Sequence, residues 1–217
     1  MFMMVDLGGG SADITVHQKD IYNGLLREVI PPSCGPWDGK SIDDRFYIFL
    51  TEMFGADVMA ELKNTELEDM IDLFREFETK KRSIRSNQLN NVVLKLPVTL
   101  INLVRSRCKK VEIAVEKSPY RDSVIFYVQS IHIMPDTFRD LFKPTIEALV
   151  EHLETMFRQA ELRDLKTIVM VGGFSECELV QHKVMERFGR NITIIISEKA
   201  GPAILKGAVL YGHSMSQ

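Results

Sequence analysis

Cysteine is scarce in this sequence, and its placement excludes two fold classes. Cys34, Cys108 and Cys177 are odd in number, far apart and never in a CxxC pair. That pattern suits neither a disulfide-stapled secreted scaffold nor a zinc ribbon, and it fits reduced thiols in the cytoplasm. No apolar run reaches the length of a membrane span. The apolar start meets Asp6 with no basic leader and no small-residue cleavage site, so it does not read as a secretory signal. Neither charge sign dominates: 27 Lys and Arg against 30 Asp and Glu give a net charge of −3 and a pI near 6.0. That balance exerts no general pull toward nucleic acid or an anionic membrane, and the Lys109-Lys110 pair is too small a basic cluster to reverse it. Tryptophan occurs once, as Trp37, in a Pro- and Gly-dense segment where a loop anchor is a better reading than a ligand cover. No internal repeat and no low-complexity tract is present.

A 217-residue chain with 45% hydrophobic residues can bury a full core, as one large domain or two small ones. The stretch around which the rest is organised lies at its start. An apolar run ends at Asp6, three glycines follow at positions 8, 9 and 10, then Ser11 and Asp13, then the β-branched run from Ile14 to Val16. This pattern predicts strand, tight turn, strand. Consecutive glycines allow positive φ and let another group approach the backbone closely, so that successive N–H groups can converge on an anion. A carboxylate beside bound phosphates makes sense with Mg²⁺ between them, directly or through water, which singles out Asp6. A plain hairpin with a flexible turn is the competing reading of the same residues.

Further along, residues 24–30 suit a third strand, and residues 31–39 read as loop. Apolar residues at helical spacing run from Ser41, a plausible N-cap, to Gly55, and again over about 67–84. On the second helix Glu78, Lys81 and Arg82 share one face at i, i+3 and i+4. They make either a solvated ion pair or a platform on which a carboxylate meets ribose hydroxyls and a guanidinium plane stacks on a purine. Residues 91–134 look β-rich, with short strands over 92–97, 98–104, 110–115, 123–128 and 130–134 in an antiparallel meander. A long amphipathic pattern follows from residue 135, broken near Lys143 by Pro144. The apolar run 167–171 predicts a strand buried on both faces. Gly172 and Gly173 then lead toward a helix over 178–188, a second place where backbone N–H groups can meet an anion. A strand over 192–196 and a helix over about 201–211 close the pattern.

Taken together, the sequence from Asp6 to Asp13, the Glu78/Lys81/Arg82 face and Val171-Gly172-Gly173-Phe174 resemble the second lobe of the nucleotide-binding domain of the 70-kDa heat-shock protein family, chaperones with the actin-like ATPase fold. Thr15-Val16-His17-Gln18, Leu141-Phe142-Lys143-Pro144-Thr145-Ile146 and the stretch from Ile204 to Leu210 are similar to its divergent type 12 branch. The resemblance covers nearly the whole chain. It implies an α/β fold: an RNase H-like base over 1–38 and 136–217, with an inserted helix-plus-sheet subdomain over 39–135. It further implies that ATP or ADP binds with Mg²⁺. Gly8, Gly9, Gly10 and Ser11 would surround the β- and γ-phosphates, Asp6 would stand at the Mg²⁺ side, and Asp13 would be a second acid near the phosphates. Glu78, Lys81 and Arg82 would face the adenosine, and Gly172 and Gly173 would lie under it.

The sequence also departs from the family. Phe174 and Glu176 stand where ordinary members carry Ser and an adenine-facing Arg, and Phe174 could offer a substitute aromatic surface. Gly201 replaces an Asp. The family's first lobe has no counterpart in these residues. Positioning water and offsetting charge at a γ-phosphate take groups from both sides of the nucleotide, so efficient hydrolysis would need that missing lobe as partner. A non-enzymatic protein-interaction module on the same fold is the alternative, and an actin-like sugar kinase is a weaker third. Ile204, Leu205, Val209 and Leu210 would then form an exposed apolar patch favouring self-association.

Overall fold

The computed structural model describes residues 1–22, 24–196 and 200–215, and of residues 200–204, 211, 214 and 215 it describes only the backbone. Two compact units divide the chain, one formed by Met1–Ser41 with Lys143–Gln217 and the other by Ile42–Phe142.

The first unit is built on a five-stranded sheet. Its strands are β1 (Phe2–Leu7), β2 (Ala12–Lys19), β3 (Leu26–Gly35), β7 (Thr167–Val171) and β8 (Thr193–Ile196), in the order β3-β2-β1-β7-β8. β1, β2 and β3 are mutually antiparallel, whereas β7 runs parallel to β1 and β8 parallel to β7. Together with its helices this mixed sheet has the architecture of an actin-like ATPase lobe. Met3, Val5 and Leu7 on β1 pair across to one buried face with Ala12, Ile14 and Val16 on β2, each fully buried. Strand alternation therefore leaves Asp6 and Asp13 together on the other face. Among the helices of this unit, α7 (Lys143–Phe157) is tied to β3 by Ser33 Oγ and His152 Nε2, 3.0 Å apart. α8 (Glu178–Phe188) meets α7 through stacked Phe157 and Phe188 rings, 5.2 Å between centroids. α9 (Ala200–Met215) follows β8.

β3 runs through the segment that reads as loop in the sequence. Two things permit this. β3 is an edge strand, where proline costs no ladder bond. Its register with β2 also steps from Ile14↔Ser33 to Val16↔Ile30, so Pro31 and Pro32 fall in the irregularity opposite Thr15. Trp37 is the loop anchor: it is buried, stacked on His152 at 4.3 Å, and so close to Gly35 that a Cβ there would sit 2.6 Å from its ring.

The second unit packs helices around aromatic rings. Phe46 on α1 (Gly39–Phe54) and Phe77 on α3 (Leu67–Ser83) lie parallel, 3.9 Å between centroids, and Phe138 on α6 (Pro135–Asp140) adds a third ring 5.7 Å from Phe77. α1 begins before Ser41, and its cap is Asp38: the Asp38 carboxylate accepts both the Ser41 N–H (2.8 Å) and the Ser41 hydroxyl (3.0 Å). Gly55, at φ 100°, separates α1 from a helix absent from the sequence reading, α2 (Ala56–Thr65).

Only three of the five short strands anticipated in this region form. They are β4 (Val92–Lys95), β5 (Val124–Tyr127) and β6 (Ser130–Ile133), in the antiparallel order β4-β6-β5. Residues 98–104 lie in α4 (Val98–Cys108) and 110–115 mostly in α5 (Val111–Lys117). Their β-branched content suggested strands, but Leu100, Ile101 and Val104 bury one face at helical spacing, and packing overrides propensity. Among the described residues no helix is long and apolar enough to cross a membrane.

Candidate nucleotide site

The parallel pairing of β1 with β7 brings two glycine loops to the same end of the sheet. Asp6 lies opposite Val171, so the residues that follow each, Leu7-Gly8 and Gly172-Gly173, leave neighbouring strands together. Ligands of open α/β sheets gather at the carboxyl ends of parallel strands. The two loops touch. A Cβ on Gly172 would stand 2.5 Å from Asp6 Oδ1 and still closer to the Leu7 carbonyl oxygen, and Gly172 itself has φ 86° and ψ 157°. Only glycine meets both demands.

The hairpin glycines behave differently. None of Gly8, Gly9 and Gly10 adopts a positive φ, so the conformational freedom anticipated for them is not what they supply. Gly8 is used internally: its N–H donates to the Ser11 carbonyl (2.9 Å), and its own carbonyl accepts from Gly39 N–H in the first turn of α1 (3.1 Å). The Gly8 carbonyl thereby serves α1 and does not close the turn with the Ser11 N–H. Among the described residues the N–H groups of Gly9, Gly10 and Ser11 have no hydrogen-bond partner. A Cβ at Gly9, Gly10 or Gly173 would meet nothing within 4 Å. Neither strain nor packing calls for glycine at these three positions, and what glycine supplies there is bare backbone in open space, as an anion requires.

The acids complete this picture. Asp6 and Asp13 are directly paired across the β1–β2 ladder, an arrangement in which like charges repel. Burial, and after it the charge of Asp13, raise the Asp6 carboxyl above its ordinary pKa. A divalent cation beside this pair would remove the repulsion, so the donor set fits Mg²⁺ held by oxygen ligands and water. Among the described residues no cluster of three or more His, Cys, Asp or Glu side chains could by itself hold a metal ion.

Phe174 lies in a 3₁₀ turn, Gly173–Glu176, and the residue is buried, 6% exposed. Beside it, the fully buried Ser175 donates its hydroxyl to the Val171 carbonyl and thereby fixes the turn on β7.

Glu78, Lys81 and Arg82 belong to the second unit, side by side on α3 as their spacing implied. Lys81 is 6% exposed, its Nζ lying 2.6 Å from Asp43 Oδ1 and 2.5 Å from Glu78 Oε2. The amine is therefore held inside an ion triad and is not displayed on a surface. Arg82 is the outward member, with its side chain 67% exposed and Nε 2.7 Å from Glu78 Oε1. Burial by itself would raise the Glu78 carboxyl, yet the hydrogen bonds from Lys81 and Arg82 bring it below its usual range. Asp43 moves the other way, because burial outweighs its bond to Lys81. Asp43 is thirty-eight positions from Lys81, and no spacing pattern could have found it. Asp38 and Gly39 were also missed, although an Asp-Gly pair ahead of a helical pattern is a recognisable start signal.

Leu205, Val209 and Leu210 on α9 are exposed. Ile204, named with them from the sequence, has its side chain outside the described residues, and of Gly201 only the backbone is described.

No protein-family model matches the chain. Among curated proteins it is 36% identical over 213 residues to Heat shock 70 kDa protein 12A of Mus musculus and, at the same identity, to that of Homo sapiens, in each case over 97% of this chain and 31% of the relative. It is 32% identical over 219 residues to human Heat shock 70 kDa protein 12B, over 98% of this chain and 31% of the relative. The chain thus spans about a third of the length of the curated relatives it matches.

Proposed function

We propose, from its 32–36% identity to Heat shock 70 kDa proteins 12A and 12B over about a third of their length, that this chain is an adenine-nucleotide-binding lobe related to the type 12 branch of the 70-kDa heat-shock protein family, and that it holds Mg-ATP or Mg-ADP at the β1–β2 hairpin. The observation that carries the reading is the set of exposed, unpartnered N–H groups at Gly9, Gly10 and Ser11 beside the facing carboxylates of Asp6 and Asp13. The N–H groups would receive phosphate oxygens, with the Ser11 hydroxyl as a further donor. Asp6 and Asp13 would hold the Mg²⁺ through water, and the metal's charge would offset that of the phosphates. Gly173, with open space above it, would admit the nucleoside side of the ligand close to the backbone. Gly172 would act indirectly, by letting β7 close on Asp6.

The resemblance assigns Glu78, Lys81 and Arg82 to adenosine binding, and within the second unit Lys81 holds Glu78 in place by their ion pair. Hydrolysis is not assigned to these residues. Stabilising charge at a γ-phosphate takes cations and a water-positioning group beyond those on the two loops. Chaperone action and a cytoplasmic setting follow as proposals from the relatives' names and the cysteine usage.

Isothermal titration with Mg-ATP and Mg-ADP tests the binding. We expect Gly9→Val to abolish it with the fold intact by circular dichroism, and Arg82→Ala to weaken it without loss of stability. Absence of binding by the parent chain, or unchanged affinity in Gly9→Val, would refute the assignment of the hairpin.

A further inference from the structure

Residues 35–41 join the end of β3 to the first turn of α1, and contacts within the first unit fix them. Gly35 is paired with Ala12 on β2. The Ser41 hydroxyl lies 2.7 Å from the Pro36 carbonyl oxygen, and the Asp38 carboxylate accepts the Ser41 N–H at 2.8 Å. The buried Trp37 ring is stacked on His152 at 4.3 Å, and His152 Nε2 lies 3.0 Å from Ser33 Oγ on β3. Trp37 is the one large apolar side chain in the segment, so its burial is the main apolar contribution that holds it. Two residues beyond Trp37, the Gly39 N–H donates to the Gly8 carbonyl at 3.1 Å.

That last bond decides which donors the hairpin leaves for a ligand. Residues that form a hydrogen-bonded pair in an antiparallel ladder exchange two bonds. Gly8 and Ser11 come next in the β1–β2 register after Leu7↔Ala12, and they make only one, from the Gly8 N–H to the Ser11 carbonyl at 2.9 Å. The other, from the Ser11 N–H to the Gly8 carbonyl, is the bond that closes an ordinary two-residue hairpin. Here the Gly8 carbonyl takes the Gly39 N–H instead. We propose that Trp37 is a positioning residue for the phosphate loop: by anchoring residues 35–39 it keeps the Gly39 N–H on the Gly8 carbonyl, and so keeps the Ser11 N–H available to a phosphate oxygen. Without the anchor, the Gly8 carbonyl closes the turn on Ser11 and one of the three donors is lost. The role in binding rests on the hairpin being the phosphate site, as proposed above, whereas the choice of partner at Gly8 does not. The coupling is reciprocal, so a phosphate held at the Ser11 N–H favours the Gly39 bond and tightens the Trp37 anchor.

Amide exchange and calorimetric titration with Mg-ADP test this in three variants of the full chain. Gly35→Ala places a Cβ 2.6 Å from the Trp37 ring, at a φ outside the left-handed region, and so displaces the ring without deleting it. Trp37→Leu removes the ring, and Trp37→Phe keeps an aromatic face against His152. Without ligand, Ser11 amide exchange should slow several-fold in Gly35→Ala and Trp37→Leu as the turn closes, and stay near the parent rate in Trp37→Phe. General loosening of the fold would speed that exchange, so the direction separates positioning from structural damage. Losing one hydrogen bond to a charged phosphate should weaken Mg-ADP binding at least ~10-fold in the first two variants, with most of it recovered in Trp37→Phe. In the parent chain the emission of Trp37, the only tryptophan, should change as Mg-ADP binds. Ser11 exchange that is unchanged or faster in both Gly35→Ala and Trp37→Leu, each folded by circular dichroism, would overturn the proposal, as would parent-like Mg-ADP affinity in both. Absence of Mg-ADP binding by the parent chain would overturn the nucleotide reading and the binding role of Trp37 with it, and the ligand-free Ser11 exchange tells that failure apart from a failure of the Trp37 anchor itself.

Discussion

Gly172 and Gly173 are adjacent, and the structure gives them opposite consequences when each is changed to alanine. At Gly172 the backbone lies at φ 86° and ψ 157°, a region essentially reserved for glycine that costs another residue about 1–3 kcal/mol. The added Cβ would also press on the Leu7 carbonyl and on Asp6 Oδ1 at 2.5 Å. The first of these is backbone of β1 and cannot swing aside, so overpacking of about 1–3 kcal/mol adds to the strain. Gly172→Ala should therefore lose about 3–4 kcal/mol, equivalent to a fall in Tm of roughly 10 °C for a chain of this length. At Gly173 the backbone carries no positive φ and a Cβ meets nothing within 4 Å. Alanine there should be neutral or stabilise by about 0.5 kcal/mol through the unfolded chain, while reducing nucleotide affinity by occupying the space above the loop. Urea unfolding of both variants, followed by far-ultraviolet circular dichroism, separates the two. A loss below about 1 kcal/mol at Gly172, or above about 1 kcal/mol at Gly173, would refute the claim that one glycine serves packing and the other serves space.

Three further outcomes are expected. Lys81→Met should cost about 2 kcal/mol in urea unfolding, between the values for surface and buried pairs, because it strands Asp43 and Glu78 together; a loss under about 0.5 kcal/mol would show that the triad contributes little. Asp6→Asn should raise the stability of the metal-free protein near neutral pH. The folded state holds the Asp6 carboxyl above its unfolded pKa, so its ionisation erodes stability as pH rises from the unfolded through the folded value. The gain should vanish below that window in thermal melts, and a gain independent of pH would contradict the cause. His152, whose pKa burial lowers, lies stacked on the only tryptophan. Neutral His152 suits the fold, so its share of stability is intact above the unfolded pKa of about 6.5 and lost as pH falls through the lower folded value. Trp37 fluorescence should report the protonation with a midpoint below that reference, and His152→Phe should remove the transition.

Much of this protein was legible in the residues alone. Asp6, the three glycines and Asp13 mark a hairpin, because strand propensity, glycine and the return to β-branched residues all agree locally. The run 167–171 and Gly172-Gly173 mark a strand opening into a loop for the same reason. Helical spacing placed Glu78, Lys81 and Arg82 on one face, since a period of 3.6 is a local property. Where local signals conflicted, the reading failed. Residues 98–104 carry the β-branched composition of a strand, yet they form a helix because Leu100, Ile101 and Val104 find a common core. Pro31 and Pro32 read as loop, but they can remain in β3 because that strand lies at the edge of its sheet.

What tertiary structure alone decided is which groups meet. Sequence supplies three glycines in the hairpin and two after β7. Only the parallel pairing of β1 with β7 shows that Gly172 exists to let Leu7 and Asp6 pass, while Gly9, Gly10 and Gly173 stand in open space. The same holds for charge. Lys81 and Phe174 looked like ligand contacts, and folding buries both, the first against Asp43 and the second in its own 3₁₀ turn. Spacing along a chain specifies faces of helices and strands. Burial and partnership depend on contacts between residues far apart in sequence, and those exist only once the sheet and the helices have packed.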